Sequence, residues 1–387
     1  MIKSIDITGF KKFKHLKIDG FRRINLFVGI NNVGKSSLLE AILGACCGQN
    51  IDPAFGMSML HRMNVFNLLS NSVQLSSSYK MASILLQFFN NGQNINDLHF
   101  SLNINTDEHN FSIKHEFEPS SIFSEFFPKE MGSFGNVDSS YVTENLARNQ
   151  IFNNQSIRQQ FLGNWKITIN EDMKKFGIFF PNVAYNSEII QPLILARYND
   201  VFSHREENEN RRIYAFLSRS NEMETFIGEL NNSFPRLGVD KIENIPYPDG
   251  SEASISFKLS GGVRMPLYAM GDGVRRWYNI LGGMIIYSNA VHCLEEVDSG
   301  FHYEAQGQLC KNLIHYAKKY NNQIFMTTHN KEYVLSLLNT VGTQDNDFLH
   351  DEVRIITLRQ GSNELEYRVL DGNEAIFAYK NGLELRL

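Results

Sequence analysis

One eight-residue segment constrains the fold of this chain more than any other. It follows the pattern Gly-x-x-x-x-Gly-Lys-Ser and reads Gly29-Ile30-Asn31-Asn32-Val33-Gly34-Lys35-Ser36. An apolar run at residues 24–28 predicts a buried strand before it, and residues 35–45 have the spacing of a helix after it. A strand, a glycine-rich loop and a helix in this order form a phosphate-binding loop, in which main-chain N–H groups at a helix N-terminus surround phosphate oxygens. The sequence therefore predicts an α/β fold that binds a nucleoside triphosphate.

The residues of this phosphate loop have separate predicted tasks. Lys35 is expected to reach the β and γ phosphates, and the Ser36 hydroxyl is expected to bind Mg2+. Because the sequence contains no Asn-Lys-x-Asp motif for guanine, the expected nucleotide is ATP. The full set of predicted nucleotide contacts in the loop is Asn31, Asn32, Val33, Gly34, Lys35, Ser36 and Ser37.

The net charge argues against a general attraction to nucleic acid. The 387 residues carry a net charge of −5, so contact with DNA or an anionic membrane would need a local basic surface. One basic concentration lies in the first predicted strands, where it either faces solvent on a hairpin or follows a DNA backbone. It comprises Lys3, Lys11, Lys12, Lys14, Lys17, Arg22 and Arg23.

The cysteines and the apolar runs favour a cytoplasmic protein. The four cysteines have neither the spacing of a metal site nor that of a disulfide framework, as is typical of the reduced cytosol. We expect no leader peptide and no membrane contact, because no apolar run approaches the length of a membrane span. With 42% hydrophobic residues, the chain can bury a large core, and its length suggests about two or three domains or lobes.

Three regions are predicted along the chain. They are residues 1–118, the N-terminal half of a nucleotide-binding head with an antiparallel β lobe; residues 119–250, a helical insertion or lid; and residues 251–387, the C-terminal half of the head.

Local patterns underlie this division. Residues 98–117 alternate polar and apolar side chains around a polar turn, which predicts an antiparallel hairpin. The following region is polar, rich in asparagine and interrupted by prolines, with helix-like stretches at 211–218 and 222–230. A second hairpin at 254–268 precedes alternating strands and helices, the pattern of a parallel sheet, and residues 352–370 predict two further strands.

A second part of the nucleotide site is predicted at the ends of two buried strands. Residues 290–294 form an apolar strand that ends on Glu295 and Glu296, and residues 323–328 form another that ends on His329. Glu295 would hold Mg2+, and Glu296 would orient the attacking water or accept its proton. His329 would touch the γ-phosphate, because ligands bind at the carboxyl edge of a parallel sheet. An acid pair at a strand end is also common in surface turns and a single histidine is often structural, so both interpretations stay open on the residues alone.

The chain resembles ABC-type ATPases of the RecF, SMC and OLD (overcoming lysogenization defect) kind. Among these it is most similar to small stand-alone ATPases of bacterial anti-phage systems such as PARIS. The segments that carry the resemblance are residues 5–13, 31–40, 270–276, 294–302 and 327–330. The resemblance implies a P-loop NTPase of the ABC-type head, with an antiparallel β lobe and an inserted helical subdomain.

In that family two ATP molecules lie between two heads, and each phosphate loop faces a signature motif of the partner. The resemblance places the signature at Gly271, Asp272 and Gly273, at the start of a predicted helix. Residues 259–262 spell the ABC consensus Leu-Ser-Gly-Gly but lie in a predicted hairpin turn, too far ahead of Glu295.

The chain departs from the family at several positions. Asp272 stands where the consensus has serine, so its carboxylate must either cap the helix or pair with Arg275. Glu295 replaces the usual aspartate, from which we expect slow turnover. Residues 298–302 would join the two heads or are simply a polar turn before a helix. The glutamine that completes the magnesium shell in the family is not identified, with Gln87 and Gln191 as weak candidates.

The resemblance implies a homo-oligomeric, magnesium-dependent ATPase that senses an invader and controls a separate effector protein. An intrinsic nuclease is not expected, because the segment after His329 is too short for a Toprim domain and Asp345-Asn346-Asp347 lacks its other parts. The alternative is a DNA repair or maintenance ATPase of the RecF or SMC sort, and a housekeeping NTPase with a small substrate is a third class. The trigger, the effector and the number of subunits do not follow from the sequence.

Overall fold

Two six-stranded sheets organise the part of the chain that the structure describes. The structure is a computed structural model that describes residues 1–49, 98–119, 160–180, 191–246, 253–342, 351–361 and 365–385. The antiparallel sheet has the order β2-β1-β4-β5-β6-β7, and the mainly parallel sheet has the order β15-β14-β3-β13-β12-β8. A third sheet has three strands in the order β11-β10-β9.

The strands are β1 (Ile2–Phe10), β2 (Phe13–Asp19), β3 (Ile24–Val28), β4 (Leu98–Thr106), β5 (Asn110–Pro119), β6 (Gln160–Ile169), β7 (Asp172–Phe180), β8 (Ala196–Asn199), β9 (Val239–Pro246), β10 (Ala253–Leu259), β11 (Arg264–Pro266), β12 (Val291–Leu294), β13 (Gln323–Thr327), β14 (Val353–Gln360) and β15 (Leu365–Asp371). The helices described here are α1 (Lys35–Cys47), α2 (Glu207–Arg219), α3 (Met223–Ser233), α4 (Asp272–Ile286), α5 (Tyr303–Lys319), α6 (Lys331–Gly342) and α7 (Gly372–Lys380).

The strand of the phosphate loop lies in the interior of the mainly parallel sheet. β3 pairs in parallel with β13 on one side and with β14 on the other, and all five of its residues are buried. On the other side of β13 lies β12, which pairs in parallel with both β13 and β8. At the opposite edge of the sheet, β15 pairs antiparallel with β14. The carboxyl ends of β3, β12 and β13 therefore meet at one edge of the sheet, which is where ligands bind in parallel α/β folds.

The two faces of this sheet are covered by different layers. Phe27 and Phe325 stack at 6.1 Å on the face that packs against α1 and the antiparallel sheet. Leu26 and Met326, their chain neighbours, belong to the core formed with the later helices, because successive strand residues point to opposite faces. α1 is buried from residue 38 to residue 47, as expected for a helix that is apolar on all sides.

The structure confirms most of the predicted elements and corrects one region. The buried strand and the helix after the phosphate loop are as predicted, as are the hairpins near 98–117 and 254–268. Helices occur near 211–218 and 222–230, but the expectation of helix is wrong for β6 and β7, which extend the antiparallel sheet.

The cause of this error is a sheet with one polar face. In β6 the buried Trp165 and Ile167 alternate with the partly exposed Lys166 and Thr168, but this alternation was not distinguished from the polar, asparagine-rich sequence around it. β5 pairs with β6 across the predicted boundary at residue 118. The division into three regions, with the role of residues 119–250, stays a prediction.

Two further expectations concern the cysteines and the membrane. All four cysteines are buried and free, and burial raises the pKa of the Cys47 thiol to about 12. Within the described ranges, no helix combines the length and the apolar character needed to cross a membrane. The Asp345-Asn346-Asp347 segment lies outside the described residues.

Candidate functional site

The phosphate loop turns sharply between β3 and α1, and its two glycines are required by contacts. Gly29 has φ +144° and Gly34 has φ +113°, values that side-chain-bearing residues rarely adopt. A Cβ atom on Gly29 would lie 2.4 Å from the main-chain oxygen of Leu358 in β14. A Cβ on Gly34 would lie 2.6 Å from Cε of Lys12. The loop therefore lies closely against β14 and the β1–β2 turn.

Lys35 folds over the loop to which it belongs. Its Nζ donates hydrogen bonds to the main-chain oxygens of Gly29 and Ile30, both at 2.8 Å. Burial lowers the pKa of Lys35, while the nearby carboxylate of Glu296 acts in the opposite direction. The ammonium group thus donates to the loop carbonyls and interacts with the charge of Glu296, and phosphate oxygens would be stronger, charged acceptors for it.

A second lysine, Lys12, reaches the loop from the β1–β2 turn, and the sequence analysis did not assign it to the site. Its Nζ donates to the main-chain oxygen of Asn32, and burial lowers its pKa. Its neighbour Lys11 forms an ion pair with the buried Glu40 of α1. The sequence groups both lysines with a possible DNA-binding surface. Their contacts with the loop and with α1 could not be predicted, because only the fold brings the β1–β2 turn to the loop.

The predicted catalytic residues come together at the ends of β12 and β13. Glu296 has φ +43°, and its main-chain N–H donates to Oγ1 of Thr327 at 2.9 Å. His329 Nδ1 lies 3.9 Å from Oε1 of Glu296, and both side chains are about half exposed, at 49% and 47%. Together with the charge interaction of Lys35, this arrangement places Lys35, Glu296 and His329 in one group. Their catalytic roles stay predictions.

The predicted magnesium ligands are oxygen donors on two neighbouring elements. Ser36 lies in the first turn of α1, and Glu295 follows β12 directly. Oε2 of Glu295 accepts a hydrogen bond from the Tyr198 hydroxyl of β8 at 2.8 Å, which orients the carboxylate. A hydroxyl and a carboxylate fit Mg2+, which prefers oxygen ligands and takes the others from phosphates and water. No cluster of three or more His, Cys, Asp or Glu side chains suited to a metal occurs in the described part of the chain.

The predicted signature forms the N-terminus of α4 at the surface. Gly271 is the N-cap residue without a side-chain hydrogen bond, and Asp272 is the first helical residue, so Asp272 does not cap the helix. Its carboxylate is 56% exposed and pairs with Arg275 at 3.2 Å, the second of the two arrangements expected. A Cβ on Gly273 would lie 2.6 Å from the main-chain oxygen of Gly300, so α4 packs closely against residues 298–302.

Arg276 connects the signature helix to the two acids, a link that sequence reasoning missed. Its buried guanidinium donates to the main-chain oxygens of Glu295 at 3.2 Å and Glu296 at 3.0 Å, and to that of Asp200 at 3.3 Å. Burial lowers the pKa of Arg276, and the carboxylates of Asp200 and Asp298 oppose this effect. Asp298 in turn accepts a hydrogen bond from Thr328 at 2.6 Å.

Two predicted features do not join this group. The Leu-Ser-Gly-Gly sequence at residues 259–262 lies at the β10–β11 turn, as expected for a coincidental match. Gln191 is exposed and lies shortly before Ile194 in the chain. The main-chain N–H of Ile194 donates a hydrogen bond to the main-chain oxygen of Cys46, near the end of α1. Because the 13 residues of α1 span about 20 Å, Gln191 lies far from Ser36. Gln87 lies outside the described residues.

Comparisons with known proteins identify relatives in sequence and in fold. Residues 24–336 match the family described as AAA domain, putative AbiEii toxin, Type IV TA system. A protein of Helicobacter pylori (strain ATCC 700392 / 26695) named ATP/GTP phosphatase is 23% identical over 385 residues, which cover 98% of each chain. Among solved structures, an SMC head bound to the C-winged helix domain of ScpA has a TM-score of 0.51 and 14% identity, over 97% of this chain and 99% of that one. An SMC head with an extended coiled coil, derived from Pyrococcus furiosus, has a TM-score of 0.48 and 11% identity over 98% of each chain.

Proposed function

Because the chain belongs to the AAA domain family described as putative AbiEii toxin of a type IV TA system, and is an ATPase with a P-loop fold like that of SMC heads, we propose that it binds ATP between two copies of itself. We further propose that the nucleotide state controls a separate effector protein in anti-phage defence, in the cytoplasm, as in PARIS-type systems. The observation that carries the first step is the exposed N-terminus of α4, which presents Asp272 to solvent and packs on residues 298–302.

Hydrolysis in this proposal uses the group at the edge of the parallel sheet. Glu296 orients the attacking water and accepts its proton, since its carboxylate stands beside His329 and interacts with Lys35. Lys35 and the N–H groups of the loop hold the β and γ phosphates. Ser36 and Glu295 would hold Mg2+, which would supply positive charge beside the phosphate oxygens. The hydrogen bond from Tyr198 would keep the Glu295 carboxylate in position for the metal. Slow turnover is expected because Glu295 replaces the usual aspartate.

The regulatory part of the proposal follows from how a ligand shifts a conformational equilibrium. ATP favours an assembled state only by the amount that it binds this state more tightly than the separate chains. A site shared between two copies meets this condition, because half of its contacts exist only after assembly. The family description names a putative toxin of a type IV TA system, which supports a regulated role beside a second protein.

A DNA repair or maintenance ATPase is the alternative, and the SMC-like fold is the observation that favours it. The basic residues of the first strands give it little support. Lys3 pairs with Asp107 at 2.9 Å, and Lys11 pairs with the buried Glu40. Much of this positive charge is therefore compensated within the chain. The alternative predicts DNA affinity that falls steeply with salt and is lost when Lys11, Lys12 and Lys14 are all replaced by alanine.

The solution mass of Glu296→Gln, with and without Mg-ATP, tests the shared site. The variant keeps the volume of the side chain but cannot accept a proton, so bound ATP should persist. We expect the mass to rise to a dimer or a larger closed assembly only when Mg-ATP is present. Glu304→Gln, which removes a 69% exposed carboxylate of α5, serves as the matched control and should assemble no better than the unmodified chain. A monomer under both conditions would contradict the proposal and favour a P-loop enzyme that acts alone.

A further inference from the structure

A basic cavity adjoins the exposed N-terminus of α4. Arg205, Arg211 and Arg275 line it together with His204, and its volume is about 20 Å³. This space accommodates one group of the size of a water molecule or a terminal oxygen, not a nucleotide. A ligand that enters it must therefore be held mainly by another surface.

Two polar side chains in this cavity are buried and incompletely satisfied. His204 is 3% exposed, and within the described part of the chain neither ring nitrogen has a hydrogen-bond partner. Its Nε2 lies 3.3 Å from Oδ1 of Asp272, but without hydrogen-bond geometry. The Nε of Arg275 is also buried without a hydrogen-bond partner among the described residues, although its Nη1 contacts Asp272. Burial lowers the pKa of His204 to about 4, so the neutral ring donates through one nitrogen only. One N–H of His204 and the Nε–H of Arg275 are therefore buried donors without an acceptor among the described residues, and the site suits an anion.

The charges around the cavity also favour an anion. Arg211 is compensated by Glu207 of its own helix at 3.6 Å. Burial lowers the pKa of Arg275, the nearby Arg205 acts in the same direction, and Asp272 is the acid paired with Arg275. The N-terminus of α4 adds partial positive charge from its main-chain N–H groups. An additional negative charge here relieves the repulsion between two guanidinium groups.

We propose that Arg275, supported by His204 and Arg205, receives the γ-phosphate of an ATP molecule held by the phosphate loop of a second copy of this chain. This proposal rests on the shared site of the proposed function and names the group that replaces the serine of the signature. Asp272 then holds Arg275 at the mouth of the cavity in the separate chain, and the phosphate adds acceptors for Nε and for the second Nη group. The small cavity volume fits this arrangement, because only the end of the triphosphate enters it.

Two variants and their mixture test the proposal. Arg275→Gln removes the charge, and we expect at least a tenfold loss in ATP hydrolysis and in ATP-dependent assembly, as for the loss of a charge-assisted hydrogen bond. Nucleotide binding to the separate chain, measured with a fluorescent ATP analogue at low protein concentration, should stay within about twofold of wild type, because the phosphate loop is untouched. Arg219→Gln, at the exposed end of α2, is the matched control and should change neither property.

Mixing distinguishes a contact across the interface from one within a chain. An equal mixture of Arg275→Gln and Glu296→Gln forms dimers of which about half combine both variants, and each of these has one intact site of two. We therefore expect the mixture to recover about a quarter of the wild-type rate, although each variant alone is nearly inactive. If Arg275 acts on the nucleotide of its own chain, no mixed site is intact, and a mixture without recovered activity would refute the proposal.

The remaining outcomes separate this proposal from the proposed function. If Glu296→Gln does not assemble with Mg-ATP, the shared site fails and Arg275 has no partner to contact. If it assembles and Arg275→Gln assembles equally well, the shared site stands and the Arg275 contact is refuted. Thermal unfolding checks that Arg275→Gln is folded. If it is not, Arg275→Met, which also lacks the charge but keeps a long side chain, replaces it in the same mixture, and recovered activity again supports the proposal.

Discussion

The substitution Thr327→Val tests whether the unusual backbone of Glu296 serves catalysis. Thr327 ends β13, is 1% exposed, and accepts the main-chain N–H of Glu296 at 2.9 Å through Oγ1. Valine has nearly the same shape but no acceptor. The substitution therefore removes this hydrogen bond without opening a large cavity.

The expected loss of activity and stability has two sources: the buried N–H group of Glu296 would lose its acceptor, and the left-handed main-chain conformation of Glu296 would lose its support. A buried N–H group left without a partner costs about 1–3 kcal/mol. Glu296 also has φ +43°, and a residue with a side chain in this region is less stable by roughly 1–2 kcal/mol than in the right-handed region. Without the bond, the peptide can turn and relieve this strain, which moves the carboxylate away from its position beside His329. We expect kcat to fall about tenfold to a hundredfold, with KM for ATP nearly unchanged.

Phosphate release at saturating ATP measures kcat, and urea unfolding measures the loss of stability. Thr340→Val is the matched control, because its buried hydroxyl bonds a carbonyl of its own helix, that of Ser336 at 2.7 Å, within α6. The control removes a buried hydroxyl of the same size but leaves no N–H group unpaired, so it should lose less stability and retain kcat. Equal kcat in Thr327→Val and Thr340→Val would refute the catalytic role of the hydrogen bond.

Two further substitutions probe the edges of the site. Lys12→Ala should raise KM for ATP several-fold with a smaller effect on kcat, because Lys12 contacts the phosphate loop through Asn32. Lys14→Ala, at a nearby exposed position, should leave steady-state kinetics unchanged. Equal effects of the two substitutions would contradict the assignment of Lys12 to the nucleotide site. Gly273→Ala should lower the thermal unfolding midpoint and ATP-dependent assembly, since its Cβ would lie 2.6 Å from a main-chain oxygen in residues 298–302. Gly228→Ala in α3, where a Cβ meets nothing within 4 Å, should instead stabilise the protein by about 0.5–1 kcal/mol, the difference in helix propensity.

The residues that sequence reasoning placed correctly share a local signal. β3, β12 and β13 are runs of apolar residues that end on polar side chains, and parallel strands bring their carboxyl ends to one edge. For this reason Glu296 and His329, which are far apart along the chain, could be predicted to meet. The helix that starts at Asp272 was equally visible, because glycines precede an amphipathic run.

The residues that the sequence could not place depend on contacts between distant segments. Lys12 reaches the phosphate loop only because β1 and β2 pair as a hairpin beside it, and an exposed lysine on a strand has the same sequence pattern. Tyr198 contacts Glu295 because β8 pairs with the edge of β12. Both strands are short, and no sequence motif predicts that they pair. β6 was missed because its solvent face is polar, so alternation was mistaken for an irregular polar segment.

Helix α4 connects the two halves of the proposed shared site in a physical sense. In the proposed assembly its first turn would present Asp272 and Arg275 to a partner, while Arg276, in the next position, donates to the main-chain oxygens of Glu295 and Glu296. Adjacent residues on a helix point in different directions, so one turn would contact both the neighbouring copy and the proposed catalytic acid of its own chain. A partner phosphate bound to Arg275 would shift the same turn that positions Glu296. Because Arg276 is buried and hydrogen-bonded to carbonyl groups, this displacement is transmitted to the main chain of Glu296 rather than absorbed by a flexible side chain. In the proposed assembly, hydrolysis at each site is therefore sensitive to whether the other site contains ATP.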